Sequence, residues 1–200
     1  MRQETAGVTE ALLESAKKEF LEYGFHNANL RRISADSGVS TNSIYTRFGD
    51  KAGLFSAVVK PAADGLMKIY LDSISGASEC GNAETAANMG GEGTEQVLKY
   101  IYDNFDAFRL IFCNSADTEY EHYFDDLAEI KEKYYKSFVE QYAKNGRRIS
   151  DFFIHVVCRS GWQYVYEVVS HGIPYEEAEE FMAHIREFCF AGWKNVLGLE

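Results

Sequence analysis

The residues best placed to do chemistry in this 200-residue chain form one short polar run, Thr41, Asn42, Ser43, Tyr45, Thr46 and Arg47, broken only by Ile44. On a helix, Ile44 and Phe48 fall on one face and turn inward, which leaves the polar groups outside. These are hydrogen-bonding groups of mixed type rather than the Lys/Glu mixture of an ordinary solvated face. Asn42 matches the donor–acceptor pattern of an adenine edge, and the Thr41 methyl suits a thymine methyl. Tyr45 and Arg47 suit phosphates. Arg31, Arg32 and Lys51 add cations within the same twenty-one residues. Lys51 also begins a helix, where free backbone amides favour an anion. The combination predicts contact with the grooves and backbone of double-stranded DNA.

The flanking sequence supplies the elements that must hold this run. Leu12, Leu13, Ala16, Phe20 and Leu21 recur at helical spacing, with Thr9 as an N-cap and Gly24 as the stop. Asn29 caps a short second helix that turns Leu30 and Ile33 inward. Gly38-Val39-Ser40 makes the turn, and Ser40 or Thr41 caps the third helix, with Ser43 in its first turn. Ala35 is small enough for the two helices to cross closely. Two short helices around a glycine turn, with Leu30, Ile33, Val39, Ile44 and Phe48 as a minimal core, describe a helix-turn-helix. Gly49-Asp50 ends the third helix and caps a fourth, carrying Leu54, Phe55 and Val58.

Beyond this head the chain again reads as helix. Pro61 predicts a kink or break in the fourth helix. Gly, Ser, Ala and Asn between Ser73 and Gly93 predict a loop. One amphipathic helix is expected through Val97, Leu98, Ile101, Phe105, Phe108 and Phe112, and another between Tyr120 and Tyr142. Ser150 opens a long helix to about His171, and a last helix runs from Tyr175 to Leu197. The fold class is all-α, with roughly nine helices and no strand-like alternation.

Charge and composition narrow the function. Net charge is −11, but residues 1–60 carry a net +1 and residues 61–200 a net −12. DNA binding needs cations on one face, not a basic protein. An acidic remainder discourages docking of the wrong surface. No apolar run is long enough to span a membrane and the N-terminus lacks a signal segment, so a cytoplasmic location with no membrane partner is expected. Cys80, Cys113, Cys158 and Cys189 are scattered without a CxxC pair and read as buried thiols. No metal site and no cofactor is expected; His155 and Cys158, three apart, lack a third ligand. The acidic cluster from Glu119 to Glu129 reads as solvated surface. Neither a catalytic Ser-His-Asp order nor a phosphate-cradling loop occurs, since Gly90-Gly91 with Gly93 lacks a following lysine. An enzyme is therefore not expected.

The segment from Leu12 to Phe55 resembles the DNA-binding domain of the TetR family. The resemblance rests on Ala16, Phe20, Gly24 and Phe25, then Ile33-Ser34, Gly38-Val39-Ser40, Tyr45, Phe48, Lys51 and Leu54. Serine at 34, where the family usually has alanine, is a mild departure. The match covers about a quarter of the chain. It implies a DNA-binding domain over 1–55 and a helical ligand-binding and dimerisation domain over 56–200. It further implies a homodimer that binds operator DNA and is released by a small-molecule effector, usually a repressor. An activator and a ligand-independent architectural DNA binder are the alternatives. DNA contacts are expected from Asn29, Arg31, Ser40, Thr41, Asn42, Ser43, Tyr45, Thr46, Arg47 and Lys51.

The last two helices carry two apolar stripes consistent with a dimer. One holds Phe181, Ile185, Phe188, Gly192 and Val196; the other holds Phe153, Val157, Ser160, Tyr164 and Val168. A mixed aromatic face on the 150–171 helix, with Phe152, His155, Arg159, Trp162 and Tyr166, suits a pocket. Phe105, Phe108 and Phe112 would face it, and Tyr123, Phe138 and Tyr142 would add aromatic surface.

Overall fold

A computed structural model describes residues 6–78, 83–144 and 146–199, with backbone alone for 6 and 83–91. The described residues form nine helices and no strand: α1 (Ala6–Asn27), α2 (Leu30–Ser37), α3 (Thr41–Phe48), α4 (Lys51–Ser78), α5 (Ala83–Asp103), α6 (Phe105–Cys113), α7 (Tyr123–Tyr142), α8 (Asp151–Ser170) and α9 (Tyr175–Leu197). They divide into two compact units. The first comprises 1–64 and 104–123, the second 65–103 and 124–200.

In the first unit, α1 buries Leu12, Ala16 and Phe20 on one stripe. Phe20, Phe25 and Phe55 form a ring cluster, with Phe20 and Phe25 both edge-on to Phe55. Ile33, Val39, Ile44 and Leu54 complete the core. Gly24 adopts φ 71°, ψ 169°, outside helical space, and α1 bends out of register there. Gly38 closes α2 in the left-handed region. Ala35 is exposed, so the close crossing expected at that residue is not made there. The segment after α6 is stitched down by Ser115, whose hydroxyl donates to Ile111 O at 2.6 Å, while the Tyr123 hydroxyl donates to Ala63 O at 2.7 Å.

In the second unit, α7, α8 and α9 meet around Phe138, Val139, Ile154, Cys158 and Leu197, with Tyr134, Tyr135, Tyr142 and Trp193 packed outside them. Ser150 caps α8 by accepting from Phe153 N at 3.2 Å, as its position predicts.

Two sequence expectations fail here, and a third is narrowed. Helix α4 runs unbroken through Pro61, so no break occurs there. The loop expected over Ser73–Gly93 is largely helix, taken up by the end of α4 and the start of α5; residues 79–82 lie outside the described residues. A small residue there serves packing: a Cβ on buried Gly93 would meet Ser73 Oγ. Finally, the single helix expected from Val97 to Phe112 is two, because Asn104 leaves helical space at φ −126°, ψ 34°.

Candidate nucleic-acid interface and apolar cavity

The polar run stands on α3, a helix of eight residues secured at both ends. Ser40 accepts from Ser43 N at 3.2 Å, and its hydroxyl lies 2.9 Å from that of Ser43. Gly49 donates its N–H to Tyr45 O at 2.9 Å in a φ 79° turn. Ile44 is fully buried beneath this helix, while Tyr45 is 53% exposed and Asn42 and Thr46 also face outward. The Thr46 hydroxyl donates back to Asn42 O at 2.8 Å, which leaves the Asn42 carboxamide as the outward group of that turn. Thr41 and Tyr45 share a cleft of about 420 Å³ with Asn29, Leu30 and Arg31 at the N-terminus of α2. The structure thus brings the leading residues of α2 and α3 to one concave surface.

Several of the expected contact residues also hold the scaffold. Asn29 Oδ1 accepts from Arg31 N at 2.8 Å as the N-cap of α2, leaving the Arg31 side chain exposed. Arg47 donates to the Thr9 hydroxyl. The Lys51 ammonium donates to His26 O at 2.9 Å and Ala28 O at 3.4 Å, and sits 4.7 Å from the Phe25 ring centroid. Lys51 therefore braces the α1–α2 connection.

Sequence reasoning missed the centre of this scaffold. Glu19 is buried, accepts from Arg32 Nε at 2.8 and 3.0 Å, and accepts from Asn29 N at 2.7 Å. The Glu19 hydrogen bond raises the Arg32 pKa above its ordinary value, and the guanidinium lies 4.1 Å from the Tyr23 ring centroid. The available signal was its position beside Ser15, Ala16 and Phe20 on the inward face of α1.

The second unit holds a cavity of about 610 Å³ between α4, α5, α7, α8 and α9. Of the ten residues expected around a ligand, Phe138 and Trp162 line it. Phe105, Phe108, Phe112 and Tyr123 belong to the first unit. Tyr142 packs on Phe138 with centroids 4.8 Å apart, and Tyr166 lies edge-on to Phe124. His155 Nδ1 is 2.8 Å from Glu132, whose pKa is lowered by its hydrogen bonds to Lys136 and His155. Arg159 pairs with Asp125. Phe152, expected on a pocket face, is instead 77% exposed.

Trp162 donates from its indole to the Tyr70 hydroxyl at 3.4 Å, and Tyr135 stacks on Trp193 at 4.7 Å. Burial raises the pKa of both tyrosines, so both hydroxyls stay protonated. Lys131, which the sequence reading passed over, also lines the cavity. It occupies the apolar stripe of α7, four residues after Leu127 and seven before Phe138, and that register was the signal.

Not all cysteines are buried as expected. Cys158 is, and desolvation pushes its thiol up to about 11, but Cys113 is exposed and Cys189 intermediate. Among the described residues no group of three or more His, Cys, Asp or Glu could hold a metal, and no helix is long and apolar enough to cross a membrane.

Comparison with known proteins agrees with this geometry. Residues 12–58, which contain α2, α3 and the start of α4, match the family model "Bacterial regulatory proteins, tetR family". The chain is 33% identical over 62 residues to the HTH-type transcriptional repressor AcnR of Corynebacterium glutamicum, and 38% identical over 52 residues to that of Corynebacterium efficiens. These matches cover 31% and 26% of the chain, and 33% and 28% of the relatives, so the chain matches about a third of their length. Solved structures share the fold along most of the chain. A TetR-like transcriptional regulator from Rhodococcus sp. RHA1 has a TM-score of 0.61 at 19% identity, covering 96% of this chain and 100% of that one. NalD of Pseudomonas aeruginosa, the secondary repressor of the MexAB-OprM multidrug efflux pump, has a TM-score of 0.60 at 14% identity, covering 90% and 96%. Residues 12–58 are thus similar in sequence to the TetR family of bacterial regulatory proteins, and the all-helical fold is shared nearly end to end with those solved structures.

Proposed function

We propose that this chain is a transcriptional repressor that binds operator DNA as a homodimer and releases it when a small molecule enters the cavity of the second unit. The observation that carries the reading is α3, capped, anchored by fully buried Ile44, and presenting Asn42, Tyr45 and Thr46 outward. Such a helix enters the major groove with its N-terminal residues against base edges. Thr41 and Asn42 read bases, Tyr45 and Arg31 reach phosphates, and Asn29, Ser40 and Ser43 hold the helix ends. Arg47 and Lys51 anchor the unit while keeping cationic charge beside it.

Dimerisation is supported by apolar surface on the last two helices. Phe188 is 69% exposed on α9, together with Phe181 and Phe190, and α8 exposes Phe152, Phe153 and Val156. Covering such a face is favourable at roughly 25 cal/mol per Å² of apolar surface removed from water. Two subunits would then present α3 to successive major grooves about 34–36 Å apart. A hundredfold loss of operator affinity on effector binding corresponds to about 2.7 kcal/mol of coupling, felt equally by both ligands.

The test starts with selection of a binding site from random duplex DNA, followed by fluorescence anisotropy across a salt series. A two-fold-symmetric site, bound with steep salt dependence and lost in Asn42→Ala/Tyr45→Ala, is the expected result. Selection that enriches no sequence overturns the reading.

A further inference from the structure

The cavity of the second unit contains a cation without a partner among the described residues. Lys131 lines it, and among the described residues no carboxylate lies within 4 Å of its ammonium and no group accepts a hydrogen bond from it. The adjacent Glu132 turns away to His155 and Lys136. The charges closest in effect to Lys131 are the thiols of Cys158 and Cys189, and burial raises the pKa of both, so they are neutral. Arg186, at the same cavity, is paired with Glu95. Desolvation lowers the Lys131 pKa, as expected for an ammonium removed from water with no compensation.

Room has been made for this group. A Cβ at position 161 would meet Lys131 Nζ and push the end of that flexible side chain aside, so Gly161 lets the ammonium lie against the backbone of α8. Tyr70, Tyr134, Tyr135, Trp162 and Trp193 line the same cavity. The Tyr135 hydroxyl likewise has no hydrogen-bond partner among the described residues. An ammonium drawn from bulk water into an apolar-walled cavity, with no partner among the described residues, is costly. In a receptor it is compensated when its counter-charge arrives from outside.

We infer that the cavity takes an amphipathic monocarboxylate, whose apolar body lies among the tyrosine and tryptophan rings and whose carboxylate pairs with Lys131 Nζ, with the Tyr135 hydroxyl as a further donor. This rests on the reading of the cavity as an effector site and names the class of effector. The volume of about 610 Å³ lies within the range of small-molecule sites.

Both tryptophans of the chain, Trp162 and Trp193, line the cavity, so intrinsic fluorescence of the full-length protein reports occupancy. The probes are decanoate and 4-phenylbutyrate, each beside its primary amide and the corresponding amine. Saturable fluorescence changes are expected with the acids, about tenfold tighter than with the amides, and none with the amines. Which acid binds more tightly distinguishes an alkyl from an aromatic body. Lys131→Met should abolish the preference for acid over amide while leaving amide binding intact. Gly161→Ala should weaken acid binding with the melting curve little changed. Amides binding as tightly as acids, a preference that survives Lys131→Met, or no acid binding up to the solubility limit would overturn the inference. Anisotropy with the selected operator separates the two readings: acids that occupy the cavity without releasing DNA support the ligand class and sink the effector role.

Discussion

Lys51 and Lys131 are both partly buried lysines next to aromatic rings, and they are treated in opposite ways. In the first unit the Lys51 ammonium is bound by two backbone carbonyls, Arg32 by Glu19, and Arg47 by Thr9. In the second, Lys131 faces a cavity with no partner among the described residues. The contrast separates two ways of building a binding surface. The first unit pairs its scaffold charges and presents outward the neutral groups of α3 with the exposed Arg31 beside them, so on the proposed reading recognition depends on a rigid scaffold. Among the described residues the second leaves one charge without a partner, and on the reading proposed above a ligand supplies it.

The largest effect that can break this contrast is in the first core. Phe55→Ala should cost about 3–4 kcal/mol in urea denaturation and abolish operator binding, because Phe55 is fully buried against Phe20 and Phe25. A milder loss would mean that the first unit is less rigid than its packing suggests. Next, Tyr45→Ala should leave the melting temperature unchanged and weaken operator binding about tenfold, since that side chain is 53% exposed. Lost stability would make Tyr45 a packing residue.

The two serine caps sharpen the contrast further. Ser40→Ala and Ser150→Ala should each cost about 1 kcal/mol. Only Ser40→Ala should also reduce operator affinity. In the second unit the sign reverses: Lys131→Met should stabilise the ligand-free protein, by about 1 kcal/mol near neutral pH. The smallest effect is in its pH dependence. The folded-state pKa of Lys131 is depressed below 10.5, so in the window between the two values the unfolded chain binds more protons and stability rises with pH. Lys131→Met should flatten that rise in melting temperature, while Cys158, Cys189 and Tyr135 around the ammonium keep their protons through its lower part.

The parts legible in the sequence were those set by local chemistry. Asn29, Ser40 and Ser150 announce their helices because a cap needs only the next three residues. The span of α9 follows from Pro174 before it and Gly198 after it. Between 73 and 93 composition misled, because Gly93 is small on account of Ser73, which is twenty residues away in sequence. The break at Asn104 was invisible because the apolar spacing from Val97 to Phe112 continues across it. At the interface, the outward face of α3 was readable from its residue types, whereas the bracing roles of Lys51 and Glu19 depend on three helices meeting. The cavity was the hardest to read, since its walls come from five helices and aromatic residues are equally common in an ordinary core.

The collision that a side chain at 161 would make with Lys131 also bears on inheritance. Descendants of this chain that keep a lysine at 131 should keep glycine at 161. Where the lysine has been replaced by an apolar residue, position 161 is released to drift. The two positions lie thirty residues apart in the chain and would nevertheless vary as one character.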